Sequence, residues 1–356
     1  TSDAATDRLK RHFETTSLKG FGVNRMPLAV IASGAILHYL DITQHRKLSH
    51  VSGLSRIEED HYVWLDRFTI RNLELLHSPN ENAKTLLDVI DKTVSPMGSR
   101  MLKRWMVLPL KDMQPIMERH DIVSFFLEKS KLRNSLIAEI DQLSDLERLI
   151  SKVATGKVNP RETLQLKKAL YHIEEIQKSL KESSEKNLQK MAEQLNFCGL
   201  IRQKMEDELL SDAAVAIGKG SVMAAGVSEE LDELRNLSSS SKDILKEIQQ
   251  REAESTGITS LKIGFNNVFG YYLEVTNVHK EKVPESWHRK QTLTGSERYI
   301  TEELKDLETK ILGAQEKILS IEHHLYTDLV LSLADYIIPI QTNASIAAKL
   351  DVLLAF

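Results

Sequence analysis

The amino-acid sequence predicts a mainly α-helical fold: a multi-helix core with a long antiparallel two-helix arm that carries a small antiparallel β domain. Glycine and proline, which interrupt helices, are scarce, with 15 Gly and 8 Pro in 356 residues. Apolar residues recur at helical spacing over most of the chain. The spacing changes to a period of two only between about residues 261 and 300.

Composition excludes several classes of protein. Hydrophobic residues make up 41% and charged residues 28% of the chain, which is typical of a soluble protein with a sizeable core. The single cysteine, Cys198, excludes a disulfide framework and a multi-cysteine zinc site, and it fits a reducing cytoplasm. No apolar run is long enough to span a bilayer. The net charge of −4 means that any contact with nucleic acid needs a local basic surface.

The first 210 residues are predicted to be helical almost throughout. A helical start is followed by a loop around Gly20–Gly22 and an apolar helix over Ala29–Tyr39. Alternation over His61–Leu65 predicts a short strand. The helical pattern then runs from Thr85 to about Leu210. It is predicted to break at Pro109 and Pro115, and Asn159-Pro160 opens a long helix.

Two longer helices are predicted to form the arm. One extends from Ser228 to about Glu254 and the other from Thr301 to about Val330, each roughly 40–45 Å long at about 1.5 Å per residue. Thr301 is the expected N-cap of the second helix. Apolar positions alternate by three and four, which predicts a seam against a partner helix. They are Leu231, Leu234, Leu237, Ile244 and Ile248, and Leu304, Leu307, Ile311, Ala314, Ile318, Ile321 and Leu325.

The segment between these helices is predicted to form two β-hairpins. Leu261–Phe265 and Tyr271–Val275 alternate on either side of a turn. Gln291–Leu293 and Arg298–Ile300 flank Thr294–Glu297, which is typical of a second hairpin. A small antiparallel sheet is therefore expected at the tip of the arm.

Several motifs resemble those of the MutS family of DNA mismatch-repair proteins. Leu261–Tyr272, with the sequence LKIGFNNVFGYY, is similar to the clamp of that family. Thr93–Trp105, with the sequence TVSPMGSRMLKRW, resembles the start of the family's helical core. The resemblance runs from about Gly20 to the end of the sequence, and further matches occur at Arg71–Leu75, Asp145–Arg148, Arg289–Leu293, Glu297–Ile300 and Glu303–Lys305.

The resemblance implies a domain organisation. Residues 1–45 would be the end of a connector and the entry to the core, and residues 46–240 the helical core with an ascending lever. Residues 241–304 would form the clamp, and residues 305–356 a descending lever that returns to the core. The sequence starts at Thr1 without Met and stops in the apolar stretch Leu350–Phe356, so we expect it to be a piece of a longer protein.

The resemblance also implies what the chain does and lacks. In this family the levers and clamp close around duplex DNA, while other domains recognise the mismatch and hydrolyse ATP. No Gly-x-x-x-x-Gly-Lys-Ser/Thr motif occurs. Phe126-Leu127-Glu128 matches the mismatch-reading Phe-x-Glu motif by letters only, because Phe126 falls on the apolar face of a predicted helix.

We therefore expect a DNA-binding fragment without catalytic residues, bound metal or cofactor. ATP and magnesium are expected only for the full-length parent. The expected partners are double-stranded DNA, held by its backbone, and, for the parent, a second MutS subunit and a downstream repair protein. The expected location is the bacterial cytoplasm, in association with the nucleoid, with no membrane contact.

The predicted DNA-binding residues lie in the two hairpins. Lys and Arg side chains neutralise phosphates, and small polar side chains or backbone N–H groups donate hydrogen bonds to them. Composition alone leaves open a solvated sheet face, and alternation sends neighbouring residues to opposite faces. At least one of Tyr271 and Tyr272 is expected to pack in the core. The predicted contacts are Arg289, Lys290, Gln291, Thr292, Thr294, Gly295, Ser296 and Arg298 from the second hairpin, and Lys262, Asn266 and Asn267 from the first.

Two other functions remain open at the level of sequence. The arm could be a purely structural lever that binds nothing alone. The chain could also belong to a MutS-like protein that controls recombination; such relatives resemble the core but lack a well-formed clamp. The motifs between Leu261 and Ile300 argue against the second alternative.

Overall fold

The chain folds into two compact units, residues 1–215 with 328–356, and residues 216–327. The computed structural model describes residues 2–23, 26–43, 48, 51, 53–54, 61–80, 82–266, 268 and 270–356, and only the backbone of residues 241–242. Most of the described residues are helical, and a single four-stranded antiparallel sheet lies within the second unit. The prediction of a mainly helical chain with a small antiparallel sheet is confirmed.

Two N-terminal helices pack against each other. Helix α1 (Ser2–His12) and helix α2 (Pro27–Ile42) bury Leu9 and Leu37 between them. Their close approach depends on Gly34, where an added Cβ would lie 2.5 Å from the Cβ of Ala5. The predicted helix is present, and a short 3-10 helix (Leu18–Phe21) that ends at Gly22 occupies the predicted loop.

The rest of the first unit is a helical core. Asn159 caps helix α9 (Pro160–Lys181) through a capping box with Glu162, and Pro160 occupies the first turn, as predicted. The buried side chain of Phe126 lies on helix α6 (Met113–Glu128), which confirms the packing role expected for it. The helices are α3 (Arg67–Asn72), α4 (Leu86–Ile90), α5 (Pro96–Val107), α6 (Met113–Glu128), α7 (Ser130–Asp141), α8 (Leu146–Ala154), α9 (Pro160–Lys181), α10 (Lys186–Gln194), α11 (Gly199–Glu208) and, after the second unit, α14 (Ile337–Ala355).

Two local predictions are wrong. Over His61–Leu65 the only pairing is an isolated bridge between Tyr62 and Leu110, because the facing segment between α5 and α6 is too short to extend a ladder. Pro115 does not break the helical pattern, since it lies in the first turn of α6. Backbone N–H groups there have no partner within the helix, so a proline costs little.

Helix α14 is the most deeply buried helix of this core and carries two polar side chains inside it. The Asn343 amide accepts a hydrogen bond from the Asn196 N–H at 2.9 Å and donates one to the Asn196 carbonyl at 2.6 Å. The Asp351 carboxylate accepts from the backbone N–H groups of Val94 and Ser95 at 3.0 and 2.8 Å, and from the Ser95 hydroxyl. These bonds join α14 to segments far away in sequence.

The second unit contains two long helices and the sheet. Helix α12 (Glu229–Thr256) precedes the sheet, and α13 (Glu302–Ser332), whose last residues belong to the first unit, follows it. The strands are β1 (Lys262–Asn266), β2 (Gly270–Thr276), β3 (His288–Thr292) and β4 (Ser296–Ile300), in the spatial order β1-β2-β4-β3. The Thr301 hydroxyl accepts from the N–H of Leu304, so the predicted N-cap of α13 is confirmed.

Ion pairs show that α12 and α13 run in opposite directions. Arg251 pairs with Glu303 near the sheet, and Arg235 pairs with Glu322 at 2.6 Å farther along. Glu322 is only 3% exposed and also accepts from the N–H of Val222. A buried carboxylate needs such partners to offset its desolvation.

The seam predicted along α12 is interrupted. Leu231 and Ile248 are buried, whereas Leu237 is 47% and Ile244 40% exposed. A groove of about 540 Å³, lined in part by Leu237, Ser240, Ile244 and Leu307, lies beside them. Residues 238–241, all serine, occupy the helical turn between Leu237 and Ile244. The seam of α12 therefore lacks one apolar layer at this turn.

Among the helices that the structure describes, none combines the length and apolar character needed to cross a membrane.

The carboxylate of Asp351 provides a test of the helical core. We expect Asp351→Asn to lower the free energy of unfolding by about 2 kcal/mol, because an amide nitrogen would face N–H donors and leave them unpaired. Urea unfolding followed by circular dichroism measures this change. Asp121→Asn, at an exposed position on α6, is the control and should have little effect. Equal stability of both variants would show that these bonds do not hold the core together.

Candidate nucleic-acid interface

The hairpin β3–β4 carries most of the predicted contact residues. In the order β1-β2-β4-β3, strand β3 is at an edge and pairs only with β4. Arg289, Lys290 and Thr292 are exposed on this edge. The structure thus places these side chains where another molecule can reach them.

A β-bulge at Lys290 changes the alternation of β3. Arg289 faces Tyr299 and Gln291 faces Arg298, so Lys290 is an extra residue without an opposite partner. Within the part of the chain that the structure describes, Lys290 forms no ion pair. The bulge therefore presents an exposed, uncompensated cation at the edge of the sheet.

The two faces of the sheet differ in polarity. Leu273, Val275 and Tyr299 are buried on one face, in a cluster with Ile248 and Leu304. The opposite face carries the neighbouring residues of the same strands, including Lys262, Tyr272, Glu274 and Arg298. Tyr272 is only 8% exposed there, and Tyr271 packs against the buried cluster of the other face, which confirms that at least one of the two tyrosines packs in the core.

Arg298 has partners on three sides of its guanidinium. Its Nε lies 3.2 Å from the Glu274 carboxylate, and its Nη1 donates to the Gln291 side-chain oxygen at 2.8 Å. The guanidinium also lies over the Tyr272 ring, 4.4 Å from its centroid. Direct contact of Arg298 with DNA stays a prediction.

Arg289 is more accessible. Its side chain is 61% exposed and pairs with Glu297 at 3.5 Å, a long and weak contact. Glu297 also accepts a hydrogen bond from the Tyr299 hydroxyl, and burial together with this carboxylate raises the pKa of Tyr299 to about 12. Glu297 therefore keeps its hydrogen bond from the Tyr299 hydroxyl if Arg289 leaves it to pair with another anion.

The β3–β4 turn is polar, and hydrogen bonds tie it to a residue outside the hairpin. Thr294 and Gly295 are exposed, while Ser296 is only 8% exposed. Asn277 donates from its side chain to the Thr294 carbonyl at 3.1 Å and from its backbone to the Gly295 carbonyl at 3.2 Å. Sequence reasoning missed Asn277, because nothing local marks a residue whose partners, Thr294 and Gly295, are so far along the chain.

The first hairpin contributes less to this surface. Lys262 is exposed at the start of β1. The Asn266 side chain accepts from the N–H of Val268 at 2.8 Å, so it is engaged in its own turn. Asn267 lies outside the described residues, and its predicted contact stays a prediction.

Comparison with known proteins identifies the family. The model of MutS domain III matches residues 68–356, and the model of MutS domain II matches residues 1–52. The chain belongs to the MutS family.

Relatives named DNA mismatch repair protein MutS are similar over the whole chain. The protein of Parabacteroides distasonis is 56% identical over 356 residues and that of Flavobacterium psychrophilum 54% identical over 354 residues, covering 100% and 99% of this chain. The protein of Bacteroides fragilis is 53% identical over 356 residues. The chain spans about 41% of the length of these curated relatives.

The domain III match includes the whole sheet and both long helices, and within it lies a contact that the MutS resemblance did not predict. Glu308 of α13 reaches the β1–β2 turn, where its carboxylate lies 3.4 Å from the N–H of Tyr271. Gly270 adopts a φ of +79°, and an added Cβ would lie 1.9 Å from this carboxylate. Gly270 therefore suits the left-handed backbone at the start of β2, and its missing Cβ leaves room for the Glu308 carboxylate.

We expect Gly270→Ala to destabilise the first hairpin by about 1–2 kcal/mol, because an L side chain is strained in the left-handed region. Hydrogen exchange of the β1–β2 amides measures this effect. Gly295→Ala is the control, since no atom lies within 4 Å of the added Cβ and its φ is not left-handed. Unchanged β1–β2 protection in the Gly270 variant would contradict this account of the turn.

Proposed function

We propose that this chain is a duplex-gripping and motion-transmitting part of a mismatch-repair protein. The sheet is the clamp, and α12 and α13 are the levers that connect it with the helical core. The observation that carries the proposal is the exposed edge of β3, where the bulge presents Lys290 beside Arg289 and the polar turn that follows.

The chemistry of this edge suits a phosphate backbone. A duplex carries a negative charge every 1.7 Å or so along its axis, so a few cations on a strand edge meet several phosphates. Thr292 and Thr294 can donate hydrogen bonds to phosphate oxygens, and Gly295 leaves its backbone approachable. None of these groups discriminates between bases in such contacts, so we propose binding that is independent of sequence and of mismatches.

The levers are proposed to couple this grip to the rest of the parent protein. Antiparallel helices joined by Arg251–Glu303 and Arg235–Glu322 can move as a pair, and Glu308 connects α13 with the β1–β2 turn. We propose that ATP, magnesium and the second subunit act outside this sequence, and that the chain itself is not an enzyme. The domain boundaries and the bacterial cytoplasmic location near the nucleoid, as expected from sequence, belong to the same proposal.

The alternatives are less well supported. The whole-chain identities above 50% to proteins named for DNA mismatch repair favour repair over recombination control. A purely structural lever would account for the bulge at Lys290 only as protection of an edge strand against pairing with another chain. Since the net charge is −4, the chain as a whole repels DNA, and binding must come from such a local surface.

The test is a titration of duplex DNA over a salt series. We expect Lys290→Ala to lower the slope of log K against log salt by about 0.9, the value for one neutralised phosphate of duplex DNA. If the variant and the unaltered chain bind equally at 1 M salt, a slope lower by about 0.9 corresponds to about eightfold weaker binding of the variant at 0.1 M. Fluorescence anisotropy with a labelled duplex measures both quantities, and a mismatched duplex should bind equally well.

Lys246→Ala is the matched control. Lys246 is 79% exposed on α12 and pairs with Asp243, so its removal changes net charge by the same amount away from the hairpin. It should leave the slope unchanged. No binding by the unaltered chain at low salt, or equal effects of the two substitutions, would refute the proposal.

A further inference from the structure

Arg298 is the predicted DNA-binding cation with the most internal contacts. We infer that it is a positioning residue, which fixes the edge strand beside the Lys290 bulge and does not itself contact phosphate. This inference rests on the proposed function of the hairpin. On this inference Lys290 and Arg289 contact DNA, whereas Arg298 positions the strand that carries them.

The contacts of Arg298 leave little capacity for a phosphate. Its side chain is 20% exposed, against 61% for Arg289. Glu274 balances its charge at 3.2 Å, and the Tyr272 ring covers one face of the guanidinium. A phosphate would have to displace Glu274 and gain little, because the cation is already neutralised.

The hydrogen bond to Gln291 connects Arg298 with the bulge. Gln291 directly follows Lys290 and lies opposite Arg298 in the ladder. Strand β3 is hydrogen-bonded on one side only, so fewer bonds hold its register. Because side chains alternate along a strand, a slip of one residue would move those of β3 to the other face. The 2.8 Å bond from Arg298 Nη1 to the Gln291 side chain opposes that slip and keeps the extra residue at position 290.

The Tyr272 ring fixes the plane of the Arg298 guanidinium, which lies over it. Tyr272 is 8% exposed and lies opposite Gly264 in the β1–β2 ladder. A Cβ at Gly264 would lie 2.6 Å from the Tyr272 hydroxyl, so glycine makes room for the ring. The orientation of Arg298 thus depends on β1, β2 and β3 together, and only the fork of an arginine can contact Glu274 and Gln291 at once.

The decisive variant is Arg298→Lys, which keeps the charge but loses the fork. We expect about tenfold weaker duplex binding at every salt concentration, from loss of a charge-assisted hydrogen bond, and an unchanged salt slope. Arg298→Ala should behave in the same way, whereas Lys290→Ala lowers the slope by about 0.9. A wild-type affinity for Arg298→Lys, or a slope lowered by about 0.9 in Arg298→Ala, would overturn the inference.

A second measurement needs no DNA. In Arg298→Lys the backbone amides of residues 288–292 should exchange with solvent about tenfold faster, since the edge strand loses its side-chain tie. Arg100→Lys is the matched control, because Arg100 also contacts two side chains through its fork, Asp145 and Glu147, but in the first unit. Unchanged exchange of β3 in Arg298→Lys would overturn the inference. Faster exchange without any DNA binding by the unaltered chain would support it and refute the proposed function.

Discussion

The packing of one face of the sheet against α12 and α13 determines what the rest of the second unit can do. Leu273 and Val275 are fully buried and lie in one cluster with Ile248 of α12 and Leu304 of α13. Burial of one aliphatic side chain of this size contributes about 1.5–3 kcal/mol. A strand buried on one face must direct its alternate residues to the other, so this packing fixes the polar face that carries Arg298.

Among the residues that the structure describes, two of the three cations Arg289, Lys290 and Arg298 pair with a carboxylate of the sheet, and Lys290 does not. Glu274 and Glu297 compensate Arg298 and Arg289, at 3.2 and 3.5 Å. The bulge at Lys290 places a cation beyond these carboxylates. If this edge grips a duplex as proposed, a chain of net charge −4 depends on such uncompensated positions, and its affinity should be modest and steeply dependent on salt.

Sequence patterns predicted the strands well, because a half-buried sheet imposes a period of two. The start of α9 at Asn159-Pro160 and the N-cap Thr301 were predicted from local chemistry. Features that depend on a distant partner were not predicted. The bulge at Lys290 needs the register of β4, and the contacts of Arg298 need β2 and β4 as neighbours. Alternation likewise predicted a strand over His61–Leu65 where no ladder forms, since pattern alone cannot show whether a partner strand exists.

Site-specific photo-cross-linking shows whether the β3–β4 hairpin touches the duplex. A photoreactive residue is placed at Thr294, in the exposed turn, and in a second variant at Leu200, which is 82% exposed in the first unit. Irradiation with labelled duplex DNA should yield a cross-linked product at Thr294, reduced by high salt, and none at Leu200. Cross-linking at Leu200 but not at Thr294, or equal yields at both positions, would contradict the account.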